Sequence, residues 1–259
     1  MKNQLKTKLQ SGKKVVGTMQ QIASVAIAEC LGISGLDFFV ADMEHAPFDA
    51  ESLRSVIMAA ELRGTTPLCR IKNVTKDYVQ QALDIGAMGI VAPGIESPEE
   101  VRALVRYAKY IPGGNRGFCY TRTSAFGYAD FAKTPNEYIK ACNEQTLIIP
   151  QCETKQCAES IEEIVAIPGV DGIFVGPFDL SVSLGCPADF GNPVYKDAIK
   201  RALEACERTG KFAITFAVDV ASAKASLDAG FSGVAIGTDI DTLIRGYRST
   251  INEVTKGMQ

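Results

Sequence analysis

Three phrases of this 259-residue chain, "LDIGAMGIVAP", "IPGVDGIFVGP" and "LDAGFSGVAIG", run from a helix end through a glycine-bearing turn into a short apolar strand. Repetition of that unit constrains the fold, because crossover helices returning to the same end of a sheet leave its strands parallel. Eight apolar, β-branched runs read as strands: Val15–Met19, Asp37–Asp42, Pro67–Arg70, Met88–Ala92, Leu147–Cys152, Gly172–Val175, Phe212–Phe216 and Gly233–Ile236. Segments of helical period fill most gaps, among them Ala50–Arg63, Pro98–Tyr107, Thr154–Ala166, Pro193–Arg208 and Val220–Ala229.

Eight strands in one alternation, with no linker rich in Pro, Ser or Gly, predict an α/β fold: a single-domain (β/α)8 TIM barrel over residues 1–259. The length suits that fold, which takes about 250 residues. A doubly wound open sheet fits less well, because no GxGxxG follows the first strand. Two long irregular stretches, "PGGNRGFCYTRTSAFGYAD" from Pro112 and "GPFDLSVSLGCPADFGN" from Gly176, are expected at or near one rim of the barrel.

The charges are near balance, 27 basic against 30 acidic and well mixed, so no basic stripe for nucleic acid is expected. No apolar run approaches the roughly 18 residues of a membrane span. The start, "MKNQLKTKLQSGKK", lacks the apolar centre of a signal peptide. Eight scattered cysteines form no CxxC pair and the chain has one histidine, which disfavours a zinc cage; a reducing cytoplasm is the expected home.

Barrel enzymes work at the C-terminal ends of their strands. Several polar residues fall there: Asp42 and His45 after the second strand, Arg70 after the third, Gln151 and Glu153 after the fifth, Asp179 after the sixth. Glu153 and Asp179, without a histidine or thiolate partner, would make an oxygen-only site suited to Mg²⁺ or Mn²⁺. The same acids equally suit helix N-caps. Arg70 offers a planar fork for a carboxylate or developing oxyanion, or a structural ion pair at the rim. Lys72, two residues on, keeps a Schiff-base lysine open, although "KNVTKD" reads as a solvated helix start. His45 is the one side chain with an ordinary pKa near neutrality, and Asp42 or Asp84 are the carboxylates expected to orient its ring.

Taken together, "DMEHAPFD", "PLCRIK", "LDIGAMGIVAPGIES", "PGGNRG", "IIPQCETKQC" and "GVDGIFVGPFDLSVSLG" resemble the HpcH/HpaI aldolases, from roughly Gly17 to Arg245. More distantly they are similar to the citrate lyase β-subunit and phosphoenolpyruvate mutase branches. The resemblance implies a class II aldolase that uses a divalent metal, Mg²⁺ or Mn²⁺ with Co²⁺ or Zn²⁺ as further candidates. It would cleave a 4-hydroxy-2-oxo acid to pyruvate and an aldehyde. It places the metal on Glu153 and Asp179 with Gln151 beside them, and acid–base work on His45 supported by Asp42 and Asp84. Arg70 would meet the pyruvyl oxygen, and the backbone at Gly176, Pro177 and Phe178 the pyruvate carboxylate. It also implies a C-terminal helix swapped between partners in a homo-oligomer, a hexamer or trimer of dimers.

The chain departs from the family's pattern at Met19, at Gly94 in "APGIES" and in "FAITFAVD", positions expected to shape the aldehyde side of the pocket. The alternatives are a citrate lyase β-like or phosphoenolpyruvate mutase-like enzyme acting on a CoA ester or phosphonate, and a catalytically silent binding protein.

Overall fold

The computed structural model describes residues 1–256; residues 257–259, the end of the single-domain range, lie outside them. Eight parallel strands close into a barrel in sequence order. They are β1 (Val15–Gln20), β2 (Phe38–Asp42), β3 (Thr66–Arg70), β4 (Gly89–Ala92), β5 (Leu147–Cys152), β6 (Gly172–Val175), β7 (Phe212–Ala217) and β8 (Gly233–Thr238). Each predicted strand is present within two residues of its expected ends. Closure pairs β1 with β8 as well as with β2, so the sheet has no free edge.

Alternation along the strands sorts side chains into two layers. Val15, Met19, Phe38, Val40, Leu68, Val91, Leu147, Ile149, Phe174, Ile214 and Ala235 form one core inside the barrel. Phe39, Ala41, Cys69, Ile90, Ala92, Ile148, Ile173 and Ala213 belong to a second core shared with the surrounding helices. The inward series then sets what reaches the C-terminal rim. Asp42 follows Phe38 and Val40, Arg70 follows Leu68, Gln151 follows Leu147 and Ile149, and Phe216 follows Ile214.

Helix boundaries follow local chemistry. Ala50–Arg63 begins at a reciprocal Asp49–Ser52 capping box and ends at Gly64, whose φ of 73° a side-chain-bearing residue rarely adopts. The segment expected as one helix over Thr154–Ala166 is two, Lys155–Glu159 and Ile161–Ala166. The break at Ser160 (φ −107°, ψ 15°) re-aims the second piece, whose Ile161, Ile164 and Val165 are all buried. Within the stretch from Gly176, expected to be irregular, Pro177–Ser183 forms a short helix with proline in its first turn.

The loop from Pro112 is not at the rim where β-strands end. Its Arg116 pairs with Asp84, its Arg122 with Glu61, and Thr123 Oγ1 donates to the Leu83 carbonyl. Those partners sit in the last turns of Ala50–Arg63 and Lys76–Ile85, at the barrel's N-terminal end. The reason is positional: the loop follows a helix rather than a strand. It is held there by a cluster of Tyr110, Phe118, Tyr120 and Tyr138 rings 5.1 to 6.1 Å apart.

The same end is plugged by the first helix, Gln4–Gln10. Its Leu5 enters the inner core, and Lys6 and Lys8 pair with Asp171 and Asp37. Asn3, fully buried, caps that helix through Oδ1 and donates Nδ2 to the Met88 and Gln145 carbonyls at 3.0 and 2.9 Å. Asn3→Ala would strand those buried carbonyls and remove the cap. It is expected to lower unfolding stability by about 2 kcal/mol or more in urea denaturation, with the barrel still folded.

Candidate active site

Strand alternation places Asp42 and Arg70 side by side, since they are register partners on β2 and β3. Arg70 donates Nε to Asp42 Oδ1 (2.9 Å) and Nη2 to Asp42 Oδ2 (2.8 Å), a two-pronged pair in which the carboxylate is fully buried and the arginine side chain 12% exposed. Burial pushes the Asp42 carboxyl up, but the Arg70 bonds and charge outweigh it and hold the group below its ordinary value. Asp42 Oδ1 also accepts the backbone N–H groups of Glu44 (3.1 Å) and His45 (3.2 Å), which folds the post-strand loop back over the pair.

That engagement corrects one expectation. Asp42 accepts the backbone of His45; the imidazole faces Glu44 instead, with Nε2 3.6 Å from Glu44 Oε2. The His45 side chain is 65% exposed, at the mouth. Glu44 also lies 3.3 Å from Arg70 Nε. Its carboxyl is pushed up by burial against the pull of the Arg70 charge, with Asp42 and Asp179 adding like-charge repulsion. Asp84 is not part of this group: it stands on Lys76–Ile85 and pairs with Arg116 at 2.6 Å. Lys72 is exposed, two residues beyond the end of β3.

Across the barrel, Glu153 follows the end of β5 and is buried. Its Oε1 accepts the Gly94 N–H at 2.6 Å and its Oε2 accepts Gln151 Nε2. Gly94 makes this contact from a left-handed backbone (φ 62°), so a glycine here bears on the carboxylate through its main chain. Gly176 keeps space for the same group. A Cβ there would fall 2.8 Å from Glu153 Oε2 and 3.0 Å from Gln151 Nε2. Burial pushes the Glu153 carboxyl up to about 7; the Gly94 bond opposes this, and the charges of Asp179 and Glu44 add to it. Asp179, exposed on the first turn of Pro177–Ser183, completes the acidic side of the rim.

Among the described residues no three His, Cys, Asp or Glu side chains converge as a ready metal cage. What is present is a pair of carboxylates plus an orphaned acceptor, because buried Gln151 Oε1 has no hydrogen-bond partner. A crowded, partly desolvated acidic pair with an unsatisfied neutral oxygen beside it fits a hard cation bound together with water and substrate oxygens. Glu44, the Gly94 N–H and the glycine gap at 176 are parts that no strand-end pattern marks. Glu44 adjoins the histidine in "DMEHAP", so it could have been found; the other two depend on contacts 59 and 23 residues apart.

The raised Glu153 carboxyl has a definite sign. A folded pKa of about 7 lies above the ordinary glutamate value of 4.5, so the folded state holds this proton more tightly and loses stability as pH rises between those values. The loss is on the order of 3 kcal/mol. The chelator-treated protein is therefore expected to melt at lower temperature at pH 8 than at pH 5.5. Divalent cation should restore the melting temperature at pH 8 only, and Glu153→Gln should erase both effects in differential scanning calorimetry.

The comparisons with known proteins agree with this geometry. A model of the HpcH/HpaI aldolase/citrate lyase family matches residues 20–246. A hydroxypyruvate/pyruvate aldolase of Roseobacter denitrificans is 34% identical over 249 residues, 95% of each chain. A 2-keto-3-deoxy-L-rhamnonate aldolase of Salmonella gallinarum is 32% identical over 241 residues, 92% of this chain and 88% of its own. The crystal structure of an HpcH/HpaI aldolase/citrate lyase family protein from Burkholderia cenocepacia superposes with a TM-score of 0.90 at 32% identity, covering 97% and 99% of the two chains. With strands, rim and sequence in accord, this chain is an enzyme of the HpcH/HpaI aldolase/citrate lyase family.

Proposed function

We propose that the protein is a divalent-metal-dependent class II aldolase that reversibly cleaves a 4-hydroxy-2-oxo acid into pyruvate and an aldehyde. The observation that carries this reading is the buried Glu153 carboxylate at the strand-end rim, held by the Gly94 N–H and the Gln151 amide with the free Gln151 Oε1 beside it. Glu153 and Asp179 would hold Mg²⁺ or Mn²⁺, with Co²⁺ or Zn²⁺ as further candidates. When bound, the ion supplies Lewis acidity to the carbonyl of the 2-oxo acid.

The chain's own groups divide the remaining work. Arg70, held by Asp42, presents its guanidinium toward the oxygen on which enolate charge develops. First-turn N–H groups of Phe178 and Asp179, after Gly176 and Pro177, would donate to the pyruvate carboxylate. Gln151 orients Glu153 and offers its free Oε1. His45 Nε2, at the mouth with Glu44, takes the proton of the 4-hydroxyl. The C3–C4 bond then breaks, its electron pair stays with C3 as the pyruvate enolate while the 4-oxygen becomes the carbonyl of the departing aldehyde, and C3 regains a proton. The exposure of Lys72 beyond its strand favours this route over a Schiff base. We assign Asp84 no role within its own chain's site.

We further propose a homo-oligomer in a reducing cytoplasm. All eight cysteines are free thiols, and among the described residues no helix is long and apolar enough to cross a membrane. The last helix, Asp239–Thr255, meets the barrel at β1 and β8 and leaves Ile240, Leu243, Ile244, Tyr247, Ile251 and Val254 exposed along one stripe. A groove of about 970 Å³ between Pro193–Thr209 and Val220–Asp228 offers an apolar counterpart, with Phe190, Tyr195, Ile199, Leu203, Phe216 and Phe231 among its walls. The stripe is read as exchanged with a second copy. Leu243→Glu with Ile251→Glu is expected to convert the assembly to monomer in light scattering; an unchanged mass would remove the exchange.

The catalytic reading is tested by methyl-proton exchange of pyruvate in D₂O, followed by NMR with and without EDTA. Exchange stopped by EDTA and restored by Mg²⁺ or Mn²⁺ is the expected result. Exchange indifferent to EDTA would transfer the chemistry to Lys72, and no exchange would favour a CoA ester or phosphonate substrate. His45→Ala is expected to lower aldol cleavage about a hundredfold while cation binding survives. Near-wild-type cleavage would end its assignment.

A further inference from the structure

The Asp42–Arg70 pair is secured on one side by the chain's own loop and on the other by a single side chain. Asp42 Oδ1 takes Arg70 Nε and two loop N–H groups. Asp42 Oδ2 takes Arg70 Nη2 and, at 3.2 Å, the side-chain amide of Gln21. Gln21 follows β1 on the inward parity of Val15, Gly17 and Met19. Its position is held by Asp239, the first residue of the last helix, which is itself buried. Asp239 Oδ1 accepts the Gln21 N–H at 2.9 Å and Oδ2 the Ile22 N–H at 2.9 Å, so one carboxylate clamps both residues beyond β1. The β1–β8 register shift between Gly17 and Met19 brings the two ends together.

We propose that Gln21 is a positioning residue for Arg70, acting through Asp42, and that Asp239 holds Gln21 in place for that task. The inference rests on the reading of Arg70 as the contact for the developing enolate oxygen. A carboxylate gripped at both oxygens fixes the plane of the guanidinium it carries; with Oδ2 released from Gln21, the pair can pivot about Oδ1 and the fork tilts. The tilt would affect a transition-state contact more than ground-state binding, so it should appear in kcat. It also links the seat of the last helix to the reacting end of the barrel, through three residues that nothing in their own sequence neighbourhoods connects.

The test uses the full chain in pyruvate methyl-proton exchange with Mg²⁺, comparing Gln21→Leu, Asp239→Asn, Asp239→Ala and Arg70→Lys, and Gln21→Leu in the Arg70→Lys background. Gln21 is only partly buried, so Gln21→Leu should melt with the parent protein. Its kcat is expected to fall about tenfold with KM for pyruvate nearly unchanged. Asp239→Ala should reproduce that loss, and Asp239→Asn, which keeps one acceptor oxygen, should recover part of it. In the Arg70→Lys background, Gln21→Leu should have no further effect, because the fork it positions is gone. A parental kcat for Gln21→Leu, or a full extra tenfold loss in the Arg70→Lys background, would overturn the proposal while leaving the role of Arg70 intact. A parental kcat for Arg70→Lys would overturn the reading of Arg70 and this inference with it.

Discussion

Closure of the barrel is the constraint on which everything else rests. With β1 paired to both β2 and β8, no strand can slip without breaking two ladders, so the parity of each strand is locked. Locked parity lets Asp42, Arg70, Gln151 and Glu153, from distant parts of the chain, meet on one rim. The same inward series that fills the interior with Val40, Leu68 and Ile149 ends in Asp42, Arg70 and Gln151. A one-residue shift would turn each of those polar groups into the helix layer, where a charge would face apolar side chains.

Within that frame the rim is an imbalance of charge. Four carboxylates, Asp42, Glu44, Glu153 and Asp179, share the region with one arginine, and the arginine is already committed to Asp42. The consequence falls on Glu153, which is the most buried of the remaining three and whose carboxyl burial pushes up to about 7. The protein spends folding stability to hold an acidic pocket open, a common trade at binding sites. Gly94 and Gly176 make this possible by backbone means, one donating its N–H and the other keeping clear.

Much of this was legible beforehand, and for a physical reason. Strand positions follow from apolar runs bounded by glycine turns, and strand ends in a barrel share one rim, which is enough to place Asp42, Arg70, Gln151 and Glu153 there. Contacts set by side-chain direction or by distant segments were not. The imidazole could be placed at the mouth, yet its facing Glu44 rather than Asp42 depends on how the loop's N–H groups use the Asp42 carboxylate. The length of the loop from Pro112 suggests a rim loop, but it follows a helix rather than a strand, and that fixes it at the opposite end. Gln21 and Asp239 are 218 residues apart, and no local pattern marks either.

The plug made by Gln4–Gln10 bears on traffic as well as on stability. With Leu5 seated in the inner core and Asn3 tying the helix to the turns below β4 and β5, the N-terminal end of the barrel is closed. Arg70 and Glu153 lie deeper than His45, whose side chain is mostly exposed. Depth thus separates two positions along the barrel axis: a deep one at Arg70 and Glu153, and an exposed one at His45.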